Sequence, residues 1–293
     1  MNELSKKVNV RVWLSAVSIC LISVAGCKQL KASGETLNLC RYKKVFFDDF
    51  NDLSVSPSNN EKFRWSAHTP WNGDFGDAQF INPIDIYADP LKNDPFIVKD
   101  GILTIRARKQ ENGKWTSGLL SSADPTTAGF SQMYGYFEAR MKLPPGPGVW
   151  PAFWLAANNR KGDKTPSVEI DVIEYYGQFT SGFHSVWHVW DLADSKNNRG
   201  GEIVTQVPND SLSNDFHTYG VDVTKEWIVF YLDRNEIGRK PTPPEHTKPL
   251  MILVNLALGG GWPIDKTPNP SELLVDYIHA YSPDESKSNA ECK

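Results

Sequence analysis

Along most of the chain, apolar and polar residues alternate in short runs separated by turn formers. A period of two is the signature of half-buried strands. Phe96-Ile97-Val98, then Asp100-Gly101, then Ile102 to Arg108 predicts a hairpin, because Asp-Gly fits a tight primed turn. Asn112-Gly113 gives a second such signal before Lys114 to Leu120. Tyr134 to Leu143 places Tyr134, Tyr136, Glu138 and Arg140 on one face and Phe137, Ala139, Met141 and Leu143 mainly on the other. Phe183 to Trp190, Thr218 to Val223, Trp227 to Leu232, Leu250 to Leu258 and Leu273 to Tyr281 are further strands. No long helical period appears. Many short strands in one large domain predict an all-β fold, an antiparallel β-sandwich of the jelly-roll kind.

The N-terminus breaks this texture. Lys6, Lys7 and Arg11 precede an uncharged, mostly apolar run from Val12 to Gly26. The run is shorter than the ~20 residues of a spanning helix and has the layout of an export signal. Val24-Ala25-Gly26-Cys27 resembles a bacterial lipobox, in which the Cys is lipidated and begins the mature chain. Ordinary signal cleavage nearby is the alternative. The expected organisation is a lipoprotein-type signal peptide at 1–26, a tether at 27–39, one catalytic-size domain at 40–281 and a polar tail at 282–293. The chain is then exported, either held at the cell envelope through Cys27 or secreted. Cys20 leaves with the signal, so Cys40 and Cys292 remain. Outside the cytosol they are either a disulfide pinning the termini or two free thiols.

Composition changes the picture in two ways. There are 31 Lys plus Arg against 35 Asp plus Glu, a formal charge of -4, and loss of residues 1–26 brings this near -6. With no basic block, the chain is poorly suited to nucleic acid or to an anionic membrane surface. The 10 Trp, 10 Tyr and 14 Phe suit a core, or a surface that stacks the flat faces of sugar rings.

The most informative segment is Val168-Glu169-Ile170-Asp171-Val172-Ile173-Glu174-Tyr175-Tyr176. Its β-branched and aromatic residues favour a strand. Glu169 and Asp171 then share a face, and Glu174 joins them only if Val172-Ile173 forms a bulge. An exposed strand would carry these acids as a solvated stripe, and calcium also draws clustered carboxylates. Within an apolar strand, paired carboxyls match glycoside hydrolysis, where one attacks the anomeric carbon and the other protonates the leaving oxygen.

With its surroundings, this strand resembles glycoside hydrolase family 16 in its bulged Glu-x-Asp-x-x-Glu form. The resemblance extends to Tyr134 through Arg140, Gly148 through Leu155, Phe216 through Gly220, Asn255 through Gly260 and Val275-Asp276-Tyr277, in the family's order. It implies a jelly roll with a concave substrate cleft and a retaining endo-hydrolase needing no cofactor for catalysis. Glu169 would be the nucleophile, Glu174 the acid/base and Asp171 the group that tunes them. Trp150 and Trp154 would line the cleft. His188 would hydrogen-bond Glu174 or substrate, while His184 stays unassigned. A structural calcium on the convex side would use Asp49 and Asp276.

Two further substrate-binding candidates come from loops. Trp262 follows three glycines that let backbone approach closely. Trp71 lies in the turn-rich stretch His68 to Asp77, long enough to be a cleft wall or a loop buried on the domain. This stretch and Gly118 to Ser122 resemble bacterial exopolysaccharide depolymerases, including those for succinoglycan. The expected function is a monomeric endo-β-glycanase on a β-glucan or a glucose/galactose-containing exopolysaccharide. A non-catalytic sugar-binding jelly roll is an alternative that would not need both Glu169 and Glu174. A transglycosylase with the same triad is the other.

Overall fold

The short alternating runs fold as strands because every second side chain is apolar and must leave water together. The computed structural model describes residues 34–56, 63–71, 73, 75–81, 95–160, 162–287 and 292. The basic and apolar N-terminal segment, with Cys27, lies outside the described residues, as does the tether before Gly34. In chain order the strands are β1 (Tyr42–Asp48), β2 (Val55–Ser56), β3 (Trp65–Ala67), β4 (Ala78–Phe80), β5 (Phe96–Lys99), β6 (Ile102–Lys109), β7 (Trp115–Ser117), β8 (Leu119–Ser121) and β9 (Gly135–Lys142). They continue with β10 (Val149–Ala157), β11 (Ser167–Glu174), β12 (Gly182–Trp190), β13 (Arg199–Gln206), β14 (His217–Val223), β15 (Trp227–Leu232), β16 (Asn235–Pro241), β17 (Leu250–Leu258) and β18 (Ser271–Pro283).

One sheet runs β16-β15-β14-β9-β18-β6-β7-β4, with β1 on β18 and β5 on β6. The other runs β13-β12-β11-β10-β17-β8-β3-β2. Pairing is antiparallel apart from the short β2–β3 and β4–β7 pairs. The all-β sandwich follows from two sheets burying one shared layer. Leu103, Ile105, Phe137, Ala139, Met141 and Val221 come from the first; Phe153, Leu155, Ile170, Ile252, Val254 and Leu256 come from the second. The opposite face of β10 and β17, with Ala152, Trp154, Ala156, Met251, Leu253 and Ala257, forms a separate cluster. That face is the floor of the cleft.

Three local expectations differ from the structure. The run Lys114 to Leu120 is not one strand: β7 lies in the first sheet and β8 in the second. The chain crosses at Gly118, where any Cβ would stand 2.6 Å from the Phe96 ring. The face of β9 read as polar is also buried. Glu138 is 0% exposed, and Tyr136 packs with Val229, Tyr231 and Tyr281.

The segment read as a tether supplies the cover for that face. Leu37, Leu39 and Tyr42 pack on the tyrosines, and the Leu37 N–H donates to the Arg234 carbonyl at 2.8 Å. A disulfide joins Cys40 to Cys292, and the Asp284 N–H donates to the Arg41 carbonyl. Both ends of the described chain are therefore fastened to the sheet face opposite the cleft.

Candidate active site

The site is built on β11, a strand whose register changes in mid-course. Against β12, Glu169 faces His188 and Asp171 faces Val186, but Glu174 faces His184. Against β10, Trp154 faces Asp171 and Phe153 faces Ile173, so Val172 has no opposite number. This is a bulge. Ile170, Val172 and Ile173 all enter the core, which turns Glu169, Asp171 and Glu174 onto the cleft face together. The three carboxyls line one compartment of about 150 Å³ with Phe75, Trp150, Trp154 and Asn255.

Each acid has different neighbours. Trp150 Nε1–H donates to Glu174 Oε1 at 3.0 Å, and the Tyr176 hydroxyl reaches the same oxygen at 3.4 Å. The Trp150 and Tyr176 rings stack at 5.9 Å. Gly260 lies against both: a Cβ there would come within 2.8 Å of the Tyr176 ring, and its φ of +60° also favours glycine. Glu169 interacts with the Trp190 side chain, which stacks on His188 at 4.7 Å. Asp171 is 6% exposed, and its Oδ2 lies 3.6 Å from His188 Nε2.

No Lys or Arg balances these charges. Burial raises all three carboxyl pKa values, and mutual repulsion adds to the effect. Burial first, then the Glu174 charge, pushes Glu169 up to about 7, against the hydrogen bond with Trp190. Asp171 goes well above its ordinary value through burial and the charges of both glutamates. Glu174 is also raised by burial, opposed by Trp150 and by His184. Burial lowers His188, leaving the ring neutral near pH 7. The cluster therefore holds at least one proton at neutral pH.

The two histidines exchange the places expected of them. His188 touches Asp171 and faces Glu169, not Glu174. The residue opposite Glu174 is His184, whose Nδ1 lies 3.0 Å from Glu202 Oε2. Trp154 forms the floor of the cleft: it is 6% exposed, and its indole N–H donates to Asn255 Oδ1 at 2.8 Å. Trp71 is 46% exposed, with its ring 6.2 Å from that of Trp154. The loop carrying it is thus a cleft wall. Trp262, 42% exposed, packs edge-on to Phe179 at 4.9 Å, on the Glu174 side.

Further compartments flank the acids. One of about 420 Å³ shares Glu169 and is walled by Trp71, Trp190 and Leu192. Another of about 320 Å³ is lined by Tyr176, Phe179 and His184, beside Glu174. Sequence reasoning missed Trp190, Tyr176 and Asn255. Asn255 carried a signal, as the single polar residue in the apolar run Leu250 to Leu258. Its Nδ2 is buried without a hydrogen-bond partner.

The chain matches Glycosyl hydrolases family 16 over residues 89–279. It belongs to that family. The family-16 chain is 35% identical to the endo-1,3-1,4-β-glycanase EglC of Rhizobium meliloti (strain 1021), over 87% of its own length and 56% of EglC. It thus spans little more than half of that relative. It is 30% identical to a β-glucanase of Rhodothermus marinus, over 89% of its own length and 92% of that protein. Its fold superposes on the crystal structure of SCLam, a non-specific endo-β-1,3(4)-glucanase, with a TM-score of 0.66 and 23% identity, covering 86% of this chain and 99% of SCLam.

The calcium implied by the resemblance fits poorly. Asp49 Oδ1 lies 2.6 Å from His279 Nε2, and Asp276 Oδ2 is 2.5 Å from Arg140 Nη1. Side chains of the protein already engage both carboxylates, and a guanidinium competes directly with a divalent ion. No step is assigned to a metal.

Proposed function

We propose that this family-16 chain is a retaining endo-β-glycanase. The observation that carries the proposal is the bulge, which gathers Glu169 and Glu174 on one face with compartments on both sides. A polymer can then lie across the acids without ending there, so an internal bond is the one presented. Glu169, as the carboxylate, attacks the anomeric carbon. Glu174 gives its proton to the departing glycosidic oxygen as that C–O bond breaks. Glu174 then takes a proton from water, which attacks the same carbon and releases Glu169. Retention requires a carboxyl separation of about 5–5.5 Å.

Within this scheme Asp171, between the glutamates, holds the shared proton and keeps their charges apart. Its ionisation is the least favourable of the three because it is the most deeply buried. Trp150 orients Glu174. Trp71, Trp154 and Trp262 offer aromatic surface to sugar faces, and His188 holds Asp171 and the Trp190 ring in place. The substrate is a polysaccharide, with mixed-linkage β-1,3-1,4-glucan and bacterial exopolysaccharide ahead of β-1,3-glucan. The names of the relatives and the exposed Trp71 wall support that order. Export through the N-terminal signal, anchoring at Cys27 and a monomeric state belong to the same reading.

The test is the size distribution of mixed-linkage glucan, laminarin, an acidic exopolysaccharide and agarose after incubation with the protein. A rapid fall in chain length on one polymer is expected. Unchanged length on all four, with tryptophan fluorescence still responding to a polymer, would identify a binding module instead. Products longer than the starting chains would identify a transglycosylase.

A further inference from the structure

The compartment beside Glu169 has apolar walls in Trp71, Trp190 and Leu192, but its polar side chains are left unsatisfied. Ser167 begins β11 and is 7% exposed, and its hydroxyl has no hydrogen-bond partner among the described residues. Asn159 is also 7% exposed, with both Nδ2 and Oδ1 buried and unpartnered. Buried polar groups in folded proteins are almost always hydrogen-bonded. Two exceptions lining one cavity mark a place where another molecule supplies the partners.

The charge at this compartment is specific. Arg160 lines it and forms no ion pair among the described residues. The acid that would neutralise it, Asp163, lines the same space but is already engaged: Lys248 Nζ is 2.5 Å from Asp163 Oδ2, and the Thr165 hydroxyl donates to Oδ1 at 2.7 Å. The Arg160 guanidinium is left without a counter-charge at the edge of a compartment whose other end is a catalytic carboxyl. A planar guanidinium with free donors matches a carboxylate in charge and in shape.

We infer that this compartment receives a sugar unit bearing a carboxylate, with Arg160 pairing the acid group and Ser167 and Asn159 bonding to the ring substituents. This rests on the hydrolase reading and narrows its substrate to acidic polysaccharide. Because Glu169 forms part of the wall, the acidic unit lies on the side of the chain that the nucleophile retains. Arg160 is a specificity determinant and takes no part in bond cleavage. Its effect falls on binding of the acidic chain.

The test uses mixed-linkage β-glucan oligosaccharides and the same oligosaccharides oxidised at C6 to uronates. Binding is followed by tryptophan fluorescence in the full chain carrying Glu174→Gln, so that turnover does not intervene. The uronate form should bind about tenfold more tightly than the neutral one, the size of one charge-assisted contact. Adding Arg160→Gln should erase that preference and leave neutral affinity unchanged, while Arg160→Lys should keep part of it. Equal affinity for the two ligands, or a preference that survives Arg160→Gln, overturns the inference. Failure of the hydrolase reading would show separately, as no shortening of either parent polymer by the unsubstituted protein.

Discussion

The sandwich buries carboxylates on both of its outer faces, and it treats them in opposite ways. On the face covered by the N-terminal segment, Glu138 is 0% exposed. Arg234 holds it through two nitrogens, at 3.0 and 2.8 Å, and the hydroxyls of Tyr136 and Tyr281 donate to it at 3.0 and 3.1 Å. Every oxygen is satisfied and the charge is matched. On the cleft face, Glu169, Asp171 and Glu174 lie close together with indoles, a tyrosine and histidines, and no arginine or lysine. A buried acid that is fully compensated holds a fold together. One left uncompensated costs stability, and the cost is retained where the proton is needed for chemistry.

The widest separation between the two sites should appear in turnover. Glu174→Gln keeps the shape of the side chain and removes its proton donor. Cleavage of an unactivated polysaccharide is expected to fall by more than about 10³-fold, with the melting temperature nearly unchanged. Viscometry on the preferred glucan checks it. Arg234→Met should do the reverse. Leaving Glu138 buried without its partner costs about 3 kcal/mol, read by denaturant unfolding, while kcat per folded molecule is unchanged.

A smaller effect tests the neighbours of Glu174. The Trp150 indole stabilises the ionised form, so Trp150→Phe raises the Glu174 pKa further. The alkaline limb of the pH–rate profile should move up by less than about one unit, with about a threefold change in kcat near neutrality. An unmoved limb would mean that the indole does not tune this acid.

The cleft face was more legible in the sequence than the covered face. Parity alone required a bulge between Asp171 and Glu174, because three acids on one side of a strand cannot otherwise coexist with a core-facing Ile170. The covered face was hidden because alternation marks polarity, not burial. Glu138 and Tyr136 read as solvent-facing, and only the three-dimensional path of Leu37 and Leu39 reveals that they are roofed. The histidines were misplaced for a related reason. Which of His184 and His188 meets Glu174 depends on the hairpin length and the bulge together, and neither register is written in residue identity. Gly118 left no trace as a sheet crossing because its role is to make room for Phe96.

The central claim is that Glu169 is kept for chemistry at the expense of stability, and one substitution tests both halves. Burial and the neighbouring charge raise this carboxyl from 4.5 to about 7. A raised carboxyl binds its proton more tightly folded than unfolded, so the folded state loses stability as pH rises through the interval between those values. Glu169→Gln removes that loss. Thermal unfolding of both proteins across that interval, beside chain-length analysis of the preferred polysaccharide, is the measurement. The account predicts a variant that is inactive, equal in stability at the acidic end and increasingly more stable than the parent toward and above pH 7. A variant that still shortens the polymer, or one that loses stability as pH rises relative to the parent, would contradict it.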